Sequence, residues 1–164
     1  MIRRPLRKNE IIKKTKEFLN TARDKDYTII QAPLVLDKSN RDEYKKMTFM
    51  PKMWGAFTKG TWKAEFEDGI YKKNDEIAKG RTGFDACEGS NLVQLLKDNK
   101  VKNVLLGGFL TDQCVEATMK TLEKNNFNCF LIKDATATVF PFIQKRVERR
   151  TKSFYSEELM DMMS

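Results

Sequence analysis

Gly107-Gly108-Phe109-Leu110-Thr111-Asp112-Gln113-Cys114-Val115-Glu116-Ala117-Thr118-Met119-Lys120-Thr121 places a cysteine where a strand turns into a helix. The preceding run Val104, Leu105, Leu106 is continuously apolar, as a parallel strand buried on both faces requires. After it, Val115, Met119 and Leu122 recur at the spacing of one helical face. Cys114 then occupies the first turn of the helix, where the helix dipole and unpaired backbone N–H groups favour a thiolate and can hold an oxyanion. The same spacing also suits a small buried hydrophobe, the commoner role of a free cysteine.

Working outward, Ile11, Ile12, Thr15, Phe18, Leu19 and Ala22 lie on one stripe, which predicts an amphipathic helix over residues 8–23, ended by Asp24 to Asp26. Tyr27 to Ala32 reads as a short strand closed by Pro33. Residues 33–61 lack periodicity and read as a long excursion over the strand ends, the kind of segment that forms lids or contact surfaces. A short helix from Trp62 to Gly69, a strand from Asp75 to Lys79 and a helix from Asn91 to Asn99 follow. The remaining pattern is a strand at Val101 to Leu106, a helix at Thr111 to Lys124, a strand at Phe127 to Ile132 and a helix near Phe140 to Arg150. Phe154 to Met163 reads as an edge strand or a short helix. This alternation implies α/β architecture: a doubly wound parallel sheet with helices on both faces, in one domain spanning residues 1–164.

At 164 residues the chain is long enough to bury a sizeable core, roughly 70% of the surface its unfolded form exposes. No apolar run approaches the ~20 residues that cross a bilayer. Three cysteines without a CxxC pairing, and no histidine, argue against a disulfide scaffold and a zinc site, so no metal or other cofactor is expected. Without histidine, acid–base work falls to carboxylates or lysines. Mean hydropathy is −0.59 and the net charge of +8 comes from 31 basic against 23 acidic side chains. These charges form no basic block with interleaved aromatics, which argues against a specific nucleic-acid partner and for a solvated surface or a basic face docked on an acidic partner. Arg3, Arg4 and Arg7 give an acid-free start with a faint transit-peptide character, so the expected location is intracellular, in the mitochondrial matrix or the cytoplasm.

The Gly107–Thr121 stretch resembles the cysteine-bearing motif of the isochorismatase-like cysteine hydrolases. Ala56-Phe57-Thr58-Lys59-Gly60-Thr61-Trp62, and Gly83-Phe84-Asp85 followed by Ser90-Asn91-Leu92, are similar to two further motifs of that family, in the family's order. The resemblance covers most of residues 8–140. It implies a pocket in which a first-strand carboxylate accepts the thiol proton, a lysine stabilises the thiolate, and the cysteine attacks an amide or related carbon. It also implies a non-proline cis peptide at Phe109 to Leu110 beside an oxyanion hole, and a pocket to which Trp54, Phe57 and Trp62 contribute. The metal-dependent nicotinamidase branch relies on histidines, which this chain lacks.

Cys114 and Leu110 match the family pattern, whereas two positions depart from it. With the first helix starting near residue 8, the N-terminal strand and its carboxylate are expected to be absent or shortened. Asp37 is a candidate substitute acid, though more simply a loop residue. The family's lysine position falls on Arg81, with Lys79 two residues away as an alternative source of charge; arginine keeps the charge but does not deprotonate. These departures lead to the expectation of a catalytically degenerate family member, a structural or assembly subunit whose exposed strand edges are covered by partner chains or by further copies of itself. The alternative is an active cysteine hydrolase acting on a small amide-like or isochorismate-like substrate.

Overall fold

A computed structural model describes residues 10–35, 37, 57–61 and 64–162. Helix α1 spans Ile11–Asp24 and buries Ile11, Phe18 and Ala22 from its apolar stripe. Strands β1 (Ile30–Gln31) and β2 (Glu76–Ile77) are two residues each. Helix α2 (Leu92–Asp98) precedes β3 (Asn103–Phe109), a π-helical turn (Thr111–Val115) and α3 (Glu116–Lys124). Strand β4 (Asn128–Ala137), α4 (Pro141–Arg150), β5 (Ser153–Phe154) and α5 (Ser156–Met162) complete the described chain. Every strand pair is parallel, in two hydrogen-bonded groups, β1–β2 and β3–β4–β5.

Helices cover both faces because neighbouring residues along each strand point to opposite sides. On one face Leu106, Cys129 and Leu131 pack with Leu92 and Leu96 of α2, Val115, Met119 and Leu122 of the second helical unit, and Val147 of α4. Ala78, Ile30 and Ala32 join this cluster, so both strand groups flank one core. On the opposite face Ile132 and Ala135 pack with Phe18 of α1 and Leu159 of α5, with Leu105 and Phe154 alongside. This is the expected isochorismatase-like α/β arrangement of a parallel sheet between helices.

Several boundaries differ from the sequence expectation. β1 is shorter than Tyr27 to Ala32, as Tyr27 and Thr28 are exposed and only two residues find a partner in β2. Of the predicted helix ending at Gly69, Ala64 is 3₁₀-helical and residues 65–69 hold only a bend and a turn, with Ala64 N–H bonded to Thr61 O and Ile70 N–H to Glu67 O. β3 starts two residues late and runs through both glycines to Phe109. Gly107 lies so close to β4 that an added Cβ would sit 3.3 Å from the Ala135 Cβ, and Gly108 has φ +136°. β4 extends past Ile132 to Ala137 because it pairs again with β3 after a register shift, Gly108 with Thr136 and Phe109 with Ala137. Phe154 to Met163 holds both a strand and a helix. Residues 1–9, and all of the 33–61 excursion except 33–35, 37 and 57–61, lie outside the described residues, as do the N-terminal arginines.

Candidate active site at the end of strand β3

The peptide bond between Phe109 and Leu110 is cis, and the chain then enters the π-helical turn that carries Cys114. Wide turns of this kind occur frequently at functional sites. The turn is fixed by polar contacts to its neighbours. Thr111, fully buried, donates to Gln144 Oε1 of α4 at 2.7 Å, and Gln144 Nε2 donates to Glu148 Oε1 at 2.8 Å and Thr136 Oγ1 at 3.3 Å. The Thr138 hydroxyl donates to the Asp112 carboxylate. The end of β4 and the start of α4 thus hold the cysteine turn from one side. Cys114 itself is half-buried.

Arg81 is the charged neighbour of Cys114. Its Nε donates to Gly83 O at 3.0 Å, its Nη2 to Phe84 O and its Nη1 to Ala32 O, the residue after β1. Three carbonyls therefore fix a guanidinium that has five N–H donors. Burial pulls the Arg81 pKa below its usual value, and Cys114 opposes this most strongly, by charge and by hydrogen bonding, followed by Asp85 and Cys87. Arg81 remains a cation at any ordinary pH. The result is a fixed positive charge facing a cysteine sulfur at the C-terminal end of a parallel strand, where α/β sheets commonly place their ligands.

The loop that supplies Arg81 closes tightly on itself. Thr82 N–H bonds to Glu88 O at 3.0 Å, and Gly80 and Gly89 meet so closely that a Cβ on Gly80 would lie 2.7 Å from Gly89 O. Both glycines have positive φ, +87° and +70°, which other residues adopt only with strain.

The other sequence candidates are placed differently. Lys79 is exposed and its backbone is tied to Asn91, with N–H to Asn91 Oδ1 at 2.7 Å and O accepting from Asn91 N–H at 3.1 Å. Asp37 Oδ2 accepts from Lys59 Nζ at 2.6 Å. Phe57 is exposed, with φ +63°; Trp54 and Trp62 lie outside the described residues. Burial, reinforced by Asp85, pushes the Cys87 thiol up to about 12, and burial with Glu123 pushes Cys129 up to about 11. Sequence reasoning gave no role to the supporting residues Asp85, Asp112, Thr118 and Thr121, although they lie in the quoted motifs, and missed Thr138 and Gln144. Only Thr118 and Thr121 carry a local signal, since they follow Cys114 by four and seven residues on one helical face.

The chain belongs to the isochorismatase family, whose isochorismatase domain model matches residues 2–157. It is 24% identical over 134 residues to the ureidoacrylate amidohydrolase RutB of Rhizobium rhizogenes (strain K84), covering 80% of this chain and 54% of that protein. It is 30% identical over 121 residues to the uncharacterized isochorismatase family protein YrdC of Bacillus subtilis (strain 168), covering 74% of this chain and 57% of that protein. The chain therefore spans a little over half the length of these curated relatives. An isochorismatase family protein from Desulfovibrio vulgaris superposes with a TM-score of 0.82 at 15% identity, over 94% of this chain and 84% of that one. The N-carbamoylsarcosine amidase from Thermoplasma acidophilum superposes with a TM-score of 0.73 at 20% identity, over 90% and 83%. At these identities the structural likeness establishes the fold alone. No described helix is long and apolar enough to cross a membrane.

Proposed function

We propose that this chain is a cysteine hydrolase that cleaves the C–N bond of a small amide-like substrate of the ureido or carbamoyl class. The observation that carries the reading is the Arg81 guanidinium, held by three carbonyls, facing Cys114. The Cys114 thiolate attacks the carbonyl carbon and the oxygen becomes an oxyanion beside the backbone of the cysteine turn. The C–N bond then breaks, the proton lost by the thiol leaves with the amine, and a thioester remains on Cys114. Water cleaves the thioester, releasing the acid and restoring the thiol. Arg81 stabilises the negative charge on sulfur before the attack and again as the thioester breaks down, but transfers no proton.

The curated relative with a stated activity supports this reading over the assembly-subunit expectation, because it is a ureidoacrylate amidohydrolase. Replacement of lysine by arginine keeps the positive charge that the thiolate needs, so that departure alone does not argue for loss of activity. The test is ammonia release from a panel of ureido, carbamoyl, nicotinamide and isochorismate-like compounds, the last followed by product absorbance. Turnover of a ureido or carbamoyl compound that vanishes in Cys114→Ala is expected. Absence of turnover across the panel, or turnover that survives Cys114→Ala, would overturn the reading.

A further inference from the structure

Arg81 and Cys114 sit on different segments, and one hydroxyl joins the segments. The Ala86 backbone N–H donates to Thr118 Oγ1 at 2.8 Å, and the Thr118 hydroxyl donates to the carbonyl oxygen of Cys114 at 2.7 Å. One helical turn further on, Thr121 Oγ1 donates to Asp85 Oδ2 at 2.6 Å, while Asp85 Oδ1 accepts the Cys87 N–H at 2.8 Å. Thr118 and Ala86 are each 5% exposed, so water does not replace these bonds easily.

Gly83 and Phe84, whose carbonyls hold the guanidinium, immediately precede Asp85 and Ala86, which dock on α3. A shift of Ala86 away from the helix therefore carries the carbonyls of Arg81 with it. We propose that Thr118, seconded by the Asp85–Thr121 pair, is a positioning residue that sets the register of the Arg81 guanidinium against the Cys114 sulfur. This inference rests on the reading of Cys114 and Arg81 as the reacting pair. Thr118 touches neither the sulfur nor the guanidinium; it acts through the loop at one end and the nucleophile's own carbonyl at the other.

The test measures the field at the sulfur rather than turnover. Second-order rate constants for alkylation of Cys114 by anionic iodoacetate and neutral iodoacetamide are compared at neutral pH and low salt, with the labelled site identified by peptide mapping. A guanidinium beside the sulfur draws the anion, so the iodoacetate to iodoacetamide ratio reports its position, and Arg81→Gln sets the baseline. Thr118→Val is expected to lower the ratio by about threefold or more towards that baseline, with Thr118→Ser close to wild type and Thr121→Val between.

A folded Thr118→Val protein with the wild-type ratio would overturn the proposal, as would a Thr118→Ser ratio as low as that of Thr118→Val, or a wild-type ratio equal to the Arg81→Gln baseline. Circular dichroism melts establish folding. Should Thr118→Val fail to fold, Thr118→Ser and Thr121→Val decide the matter: a wild-type ratio in Thr121→Val or a collapsed ratio in Thr118→Ser overturns it. Because alkylation is read instead of hydrolysis, failure of the relay and failure of the hydrolase reading give separate results.

Discussion

Arg23 and Asp75 close a two-point ion pair, Nε to Oδ1 at 2.9 Å and Nη2 to Oδ2 at 2.6 Å, that ties α1 to the turn before β2. Asp75 also accepts the Lys72 N–H at 3.0 Å and Gln31 Nε2 at 3.2 Å, and Arg23 Nη2 donates to Ile70 O at 2.6 Å. The two side chains are only 13% and 2% exposed. Such a planar fork with its remaining lone pairs satisfied is costly to break from one side, because the surviving charge stays buried.

Arg23→Ala is therefore expected to destabilise the fold by about 3 kcal/mol, measured as a lower urea midpoint at unchanged slope. Asp75→Asn removes the same charge pairing and should act in the same direction.

The same carboxylate gives stability an acid limb. Burial alone raises the Asp75 pKa, but the bonds from Arg23, the Lys72 N–H and Gln31 outweigh it and hold the carboxyl below its ordinary range. A depressed folded pKa makes its stabilisation complete above the unfolded value of ~3.9 and loses it as pH falls through the folded value. Urea midpoints recorded between pH 7 and pH 2 should drop below about pH 4, and Asp75→Asn should show a shallower drop; equal slopes in both proteins would contradict the assignment.

Cys114 should be the first thiol alkylated. Cys87 and Cys129 are pushed up to about 12 and about 11, chiefly by burial, and present almost no thiolate near neutral pH. Limited iodoacetamide treatment at pH 7 followed by peptide mapping should find the label on Cys114; earlier modification of either other cysteine would count against the nucleophile assignment.

Arg81→Gln should lower kcat/KM on the best amide substrate by about 10² or more, since the charge that balances the thiolate is gone. Arg81→Lys should lose less, because a point charge remains although the three-carbonyl fork is lost. Steady-state kinetics of the two variants decide this, and equal losses would show that fork geometry matters more than charge.

In β4, Asp134 accepts both the N–H (2.8 Å) and the hydroxyl (2.7 Å) of Ser156, a fully buried residue at the start of α5. Asp134→Ala should cost about 1–2 kcal/mol, visible as a lower thermal midpoint, while Ser156→Ala, which keeps the N–H bond, should cost less.

Periodicity within a few residues was enough to place α1, α2, α3 and α4 and the centres of β3 and β4, because the alternation of apolar side chains there is itself the packing pattern. It failed where long-range partners decide. β4 continues through Lys133 and Asp134 because it pairs again with β3 at Thr136 and Ala137, and the two charges are accommodated by the Tyr155 ring, 4.8 Å from Lys133, and by Ser156, which binds Asp134, contacts that a local reading of two charged residues does not contain. The short helix expected before Gly69 shrinks, over its described residues, to a 3₁₀ residue at Ala64 followed by a bend and a turn.

The site divides in the same way. The strand-to-helix turn and its cysteine are local, so residues 104–122 by themselves determined a cysteine at the end of an apolar strand, of which only Leu106 is buried, and the motif order determined the family. The partner of that cysteine was decided by the tertiary structure. The guanidinium of Arg81 is held by the carbonyls of Ala32, Gly83 and Phe84, and Thr118 and Thr121 bond the loop that follows, at Ala86 and Asp85, to α3. Lys79, the alternative source of charge two positions away, is exposed with its backbone pinned to Asn91. The physical reason is that a strand or helix is written by neighbours a few residues apart, whereas the direction of a charged side chain two positions away is set by which buried carbonyls in other segments accept its hydrogen bonds.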